Sequence, residues 1–145
     1  MNKKVIVEIL LNTRFNLDSE WGKLALSKEW IDYRIDIFMK YTALSLMNQS
    51  NQNFLTIVRY IGASEGLVLD AISKYKPLPE NIVFVKESMA NKIIENYVKD
   101  TDVFYIVRLD SDDMYVPNFI ERLNEVEYYD NLQCIICQDG YVYDV

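Results

Sequence analysis

The chain has no histidine, and its 145 residues include only two cysteines, three prolines and four glycines. Without histidine, the usual general base and the commonest transition-metal ligand are both missing. The few glycines form neither a Gly-x-Gly-x-x-Gly dinucleotide fingerprint nor a Gly-x-x-x-x-Gly-Lys-Ser/Thr phosphate loop. No apolar run approaches the ~20 residues of a membrane span, so a soluble, cytoplasmic protein without a transmembrane segment is expected. Lys3 and Lys4 followed by the apolar run 5–11 imitate a signal peptide, but Glu8 interrupts the run and Arg14 follows it without a small-residue cleavage site. The run reads instead as a first strand. A basic cluster is absent too: 15 Lys and Arg stand against 22 Asp and Glu, for a net charge of −7. Such a surface repels nucleic-acid backbones and anionic lipid, so no nucleic-acid partner is expected.

The two cysteines form Cys134-Ile-Ile-Cys137, which as a string resembles a zinc or redox motif. Residues 132–137 are apolar and β-prone, and in a strand residues three apart face opposite sides. A structural zinc needs two further ligands, and no second cysteine pair or histidine supplies them. The run leads into Asp139-Gly140, a hairpin turn signal, rather than into the helix that redox dithiols open. Buried free thiols are the expectation.

What is present suits one folded domain over residues 1–145. Half the residues are apolar and 26% are charged, which excludes wholesale disorder. A chain of this length buries ~70% of its unfolded surface. Strand-like and helix-like segments alternate, without repeat or linker, and that alternation predicts an α/β fold. Strands are expected over 5–11, 54–61, 81–85 and 103–109, and a terminal hairpin over 132–137 and 141–144. Helices are expected over 28–49, 65–75, 88–98 and 117–126. In the first helix Ile31, Ile35, Phe38, Thr42 and Leu46 recur at helical spacing behind a Ser27 cap. Strands joined through helices favour right-handed crossovers and a mainly parallel sheet, which binds ligands beyond the carboxyl ends of its strands. The loops over 12–16, 62–66 and 110–113 should therefore gather on one edge.

Chemistry concentrates in Tyr105-Ile-Val-Arg-Leu-Asp-Ser-Asp-Asp113, where three carboxylates follow directly on a β-branched run. Carboxylate oxygens suit Mg²⁺, Mn²⁺ or Ca²⁺ and suit soft metals badly, and a cation held there can hold phosphates. The competing reading is structural, since Ser and Asp favour turns and helix caps, and Pro117 lies just inside the next predicted helix. An EF-hand loop beginning at Asp110 fails, because Met114 and Tyr115 replace its fifth ligand and its glycine. An aspartyl-nucleophile phosphatase also places Asp-x-Asp after a strand, but at the start of its domain and with Thr or Val where Met114 stands.

Three ordered segments carry a more specific signal: Asn12-Thr-Arg-Phe-Asn16, then Trp30, Arg34, Phe38, Ser45 and Gln49 on the long helix, then Arg108-Leu-Asp-Ser-Asp-Asp113. Together, over most of the chain, they resemble the rhamnosyltransferase family of GT-A type glycosyltransferases. That resemblance implies a Rossmann-like, nucleotide-diphospho-sugar transferase fold, with a mainly parallel sheet flanked by helices. It further implies a divalent cation, Mn²⁺ or Mg²⁺, carried by the Asp-x-Asp loop and bridging the diphosphate of a nucleotide-sugar donor. Carried over residue by residue, Asp112 is the principal metal ligand, Asp110 faces ribose or metal, and Asp113 supports the site. Arg108 lies near phosphate or pairs with a carboxylate, and Asn12, Thr13 and Arg14 line the nucleotide side. Thr13 and Asn16 are equally well read as turn residues. Where the wider family ends its second strand in Asp, this chain has Tyr60-Ile61, so Tyr60 either stacks on a base or packs. The family's acceptor-binding segment and catalytic base lie beyond the point matching Val145. Asp139 and Asp144, at a turn and a terminus, do not replace that base, and no catalytic residue is assigned. The expected activity is transfer of a sugar to a carbohydrate acceptor, or donor binding alone. The competing class is a non-catalytic binding or interaction module on the same fold.

Overall fold

The computed structural model describes residues 1–13, 16–137 and 140–142. Four strands, β1 (Lys3–Leu10), β2 (Leu55–Tyr60), β3 (Ile82–Lys86) and β4 (Val103–Arg108), form one sheet in the order β3-β2-β1-β4. Every pairing is parallel, with Val7 opposite Thr56 and Val107, and Val58 opposite Phe84. The α/β architecture with helices flanking a parallel sheet is therefore present, and it is consistent with a Rossmann-like fold. β1 lies between two neighbours, and Val5, Ile6, Val7 and Ile9 are fully buried, which is why its apolar residues do not alternate with polar ones.

Eight helical segments connect or follow the strands among the described residues: α1 (Glu20–Leu24), α2 (Lys28–Ile37), a π turn (Phe38–Thr42), α3 (Ala43–Met47), a 3-10 turn (Gly62–Ser64), α4 (Glu65–Ser73), α5 (Glu87–Val98) and α6 (Phe119–Glu125). Ser27 caps α2 as expected, its hydroxyl accepting from the Trp30 amide. The expected stripe of Ile31, Ile35, Phe38, Thr42 and Leu46 is wholly buried. The long predicted helix passes through one wide turn, in which the Ala43 amide donates to the Phe38 carbonyl five residues back. A π turn of this kind carries an extra residue without breaking the helix. α1, five residues long, was not anticipated.

The main core joins Val5, Val7, Ile9 and Val58 to the apolar stripes of α2, α4 and α6. On the opposite face a smaller core gathers Ile57 and Val85 under Ala90, Ile93 and Ile94 of α5. The β4 part of that second face is open, with Phe104 46% and Ile106 51% exposed.

The terminal hairpin is not formed among the described residues. Residues 132–137 are irregular, and Asp139, Tyr143 and Asp144 lie outside the described residues. β-propensity largely reflects packing against a neighbouring strand, and among the described residues this segment pairs with none. Cys134 and Cys137 are correspondingly free but exposed, which corrects the expectation of burial.

Candidate functional site at the carboxyl edge

The chain leaves β1 on the side of β2 and β3, then crosses back to place β4 on the other side of β1. This makes the β1/β4 boundary the point of reversal, where open parallel sheets leave a crevice beyond their carboxyl ends. Leu11 donates its amide to Arg59 O at 2.9 Å and Leu109 to Glu8 O at 3.1 Å, so the loops after β1, β2 and β4 leave the sheet side by side.

Asn12 is 1% exposed, and its side chain is fully engaged. Its Nδ2 donates to Ala25 O at 3.1 Å and to Ser64 Oγ at 3.0 Å, while Oδ1 accepts from the Ile61 amide at 3.1 Å. It ties the β1 loop to the β2 loop and to the segment entering α2. Thr13 is also buried, and its Oγ1 has no hydrogen-bond partner among the described residues. Arg14 lies outside the described residues. Tyr60 belongs to the main core, and its hydroxyl is held above its ordinary range by burial first and the Glu65 carboxylate second. Of its two expected roles, packing is the one visible.

The acidic loop is braced by the helix run α2–α3. Asp113 donates its amide to Asp110 O at 3.1 Å, closing a turn around the buried Ser111. Asp112 points at Arg34: Nη1 lies 3.0 Å from Oδ2 and Nη2 3.3 Å from Oδ1, and Nη2 also donates to Ser111 Oγ at 2.6 Å. The Arg34 guanidinium lies 5.7 Å from the Trp30 ring centroid, one turn back on α2. Downstream, Gln49 Nε2 donates to Val116 O at 2.8 Å, and Gln49 Oε1 accepts from the Ile120 amide at 3.0 Å. Ser45 Oγ accepts from the Tyr115 amide at 3.4 Å. Arg34, Ser45 and Gln49 thus form one scaffold for residues 111–120, and Trp30 stands beside it. Phe38 is a core residue, edge-on to Phe84.

Asp113 is exposed, yet its carboxyl is held above the ordinary range, by partial desolvation first and then by the charges of Asp112 and Asp110. The three carboxylates are close enough to repel one another. Arg108 is exposed beyond Ile106 on the open face of β4, and it makes no ion pair among the described residues. Its carbonyl accepts from the Tyr115 hydroxyl at 3.0 Å. Two cavities flank the loop rather than contain it. One, of about 570 Å³, runs along β4 between Phe104, Ile106, Tyr115, Phe119 and Leu132. The other, of about 260 Å³, lies between Tyr41 and Leu44 and Met114 and Tyr115. Neither is lined by Asn12, Thr13 or the three aspartates.

As a donor set, three carboxylates and a serine hydroxyl suit a hard divalent cation. Their arrangement around Arg34 is not that of a formed centre: among the described residues no three Asp, Glu, His or Cys side chains converge as ligands. Asp110 and Asp113 carry carboxylates without an ion-pair partner there, whereas that of Asp112 is matched by Arg34. The bracing by Arg34, Ser45 and Gln49 was not foreseen. Its signal was the polar Gln49, placed one turn beyond the apolar stripe on a face otherwise buried.

The fold defines an α/β domain with a four-stranded parallel sheet and its polar loops at the carboxyl edge. Compared with protein-family models, with curated proteins and with solved structures, the chain gives no match. The resemblance to rhamnosyltransferases rests on the residue pattern alone. No helix among the described residues is long and apolar enough to cross a membrane.

Proposed function

We propose that this chain binds a nucleotide-activated sugar at the carboxyl edge of its sheet, as a metal-assisted glycosyltransferase of GT-A type or as the donor-binding part of one. The observation that carries this reading is the pairing of an acidic loop after β4 with the Asn12-Thr13 loop after β1, across the point where the strand order reverses. Asp110 and Asp113, joined by Asp112, would hold Mn²⁺ or Mg²⁺. Such a cation offsets charge on a departing nucleoside diphosphate. Thr13 offers a buried hydroxyl without a partner among the described residues, and buried polar groups without partners are uncommon enough to need a reason. Asn12 sets the position of the nucleotide-side loop rather than contacting the donor. Arg108 lies on the open face of β4, so a phosphate contact would come from its end of the strand. A carbohydrate would be the acceptor.

A second reading, a non-catalytic interaction module, is favoured by one observation: Asn12 and Asp112 already have partners within the protein. Calorimetric titration of UDP, TDP, GDP and their sugars, with and without Mn²⁺, separates the two. The expected result is Mn²⁺-dependent binding of one nucleotide class, weakened by about tenfold or more in Asp110→Asn through loss of a charged oxygen ligand. Absence of binding to every nucleotide in the presence of Mn²⁺ would leave the interaction module.

A further inference from the structure

We propose that two copies of this chain pair through β4, antiparallel and about a two-fold axis at Tyr105, so that their sheets join into one of eight strands, four from each. The inference does not depend on the donor-site reading. β4 is an edge strand, bonded to β1 on one side and open on the other among the described residues. Val103 and Leu109 donate their amides to Asn2 O and Glu8 O of the β1 side. Main-chain groups alternate in direction along a strand, so those of Phe104, Ile106 and Arg108 point away from β1 to the open edge. Residues 132–137 stand across a cavity of about 570 Å³ from that edge and pair with no strand among the described residues, so an arriving strand breaks no ladder.

The direction of those groups restricts the register. In an antiparallel pair, residues that exchange both hydrogen bonds stand directly opposite, so an outward residue of one copy must face an outward residue of the other. With Tyr105 on the axis, Phe104 faces the partner's Ile106, and Arg108 faces position 102, which is Asp. An axis at Phe104 sets Asp102 against Ile106, and an axis at Ile106 sets Phe104 against Arg108. Only the axis at Tyr105 matches apolar with apolar and acid with base along the row. Both charges are available for this. Asp102 and Arg108 are exposed, and neither makes an ion pair among the described residues. The Asp102 carboxylate accepts from the Asn2 amide at 2.6 Å, which fixes it at the start of the strand. Phe104 and Ile106 are half-exposed between them. Aromatic against β-branched and acid against base are favourable cross-strand pairs, and two-fold symmetry makes each of them twice.

The test is sedimentation velocity on the full chain over a concentration series, with circular dichroism as the control for folding. The parent should form a dimer. Arg108→Asp and Asp102→Arg each set like charges opposite one another twice, and each alone should weaken the dimer about fivefold or more. Mixed in equal amounts, the two variants should dimerise again, because every acid then faces an arginine. If Asp102→Arg does not fold, Asp102→Asn keeps the acceptor for the Asn2 amide: it should loosen the parent dimer and tighten that of Arg108→Asp. A parent that is monomeric throughout would overturn the proposal. So would single variants that associate like the parent, a mixture of folded variants that stays monomeric, or an Asp102→Asn effect of the same sign in both backgrounds.

Discussion

The three hydrogen bonds of Asn12 reach the Ala25 carbonyl ahead of α2 and, in the loop after β2, the Ser64 hydroxyl and the Ile61 amide, all buried or partly buried. Truncation to alanine leaves those partners buried and unmet, and each such group costs about 1–3 kcal/mol. Asn12→Ala should therefore lose about 2–4 kcal/mol of stability, read as a lower urea midpoint with an unchanged denaturant slope. A loss below ~0.5 kcal/mol would mean that the loop is not held this way. From the sequence this residue could be assigned only by pattern, because a turn asparagine and a ligand-facing asparagine look alike. Glu8 is a similar case. Inside an apolar run it has no evident reason, until β2 places Arg59 2.5 Å away and α5 adds Glu87 and Asn91 around the same guanidinium. Removing one member of such a buried pair is costly because the other is left unpaired. Gly22 is the third: a Cβ there would stand 2.1 Å from the Asn16 carbonyl, so α1 packs on the preceding loop only through glycine. Each of these depends on a neighbour far along the chain or on backbone approach, neither of which periodicity reports.

Helix α2 and helix α4 are clipped along their exposed sides by alternating charges. Lys28 reaches Asp32 at 2.9 Å and Asp70 at 3.0 Å, and Lys74 reaches Asp32 at 2.9 Å. Exposed pairs of this kind contribute little each. The more sheltered link is the Tyr75 hydroxyl, which donates to Asp36 Oδ1 at 2.7 Å. Asp36 is held below the ordinary carboxylate range, by Lys40 first and Tyr75 second, and the same bond pushes the Tyr75 phenol up to about 12. The lowered Asp36 value makes its contribution present above the unfolded carboxylate range and lost as pH falls through the folded one. The raised Tyr75 value makes its contribution present below the ordinary phenol value of 10.0 and lost as pH rises through about 12. Tyr75→Phe should cost about 1 kcal/mol at pH 7 and less at an acid pH below the folded Asp36 range, where the carboxylate is protonated in both proteins. Urea unfolding at the two pH values checks this, and an equal loss at both would assign the effect to packing. Element type was legible for the four strands and for the helices that follow them. β3 was expected over 81–85 and found as Ile82–Lys86. The stripe from Ile31 to Leu46 gave the long helix but not its π turn, because one wide turn leaves the same side chains buried. Residues 132–137 are apolar and β-prone in composition, yet they are irregular and have no strand partner among the described residues.

At the scale of the whole molecule, parallel order and the shared loop edge followed from the alternation of elements, and both are present. What alternation does not determine is how completely each face is covered. The face holding α2, α4 and α6 is closed, while the other carries α5 over β2 and β3 and leaves β4 uncovered. β4 is an edge strand with the sequence Val-Phe-Tyr-Ile-Val-Arg, without proline or lysine, and its outward Phe104 and Ile106 are about half exposed. Natural edges are usually blunted by charge, proline or a covering segment, because their unpaired amides and carbonyls are a template for another strand. Here residues 128–137 face β4 only across a cavity of about 570 Å³. An apolar row on an unpaired edge should draw copies of this chain together as concentration rises. Ile106→Lys places a charge in the middle of that row, on a side chain already 51% exposed, so it should change stability by no more than ~0.5 kcal/mol and suppress association. Sedimentation velocity over a concentration series, with circular dichroism to verify the fold, measures both quantities. A parent that stays monomeric at every concentration, or a lysine variant that associates equally, would show that the β4 edge is protected. A variant that unfolds would place Ile106 in the core, against its exposure.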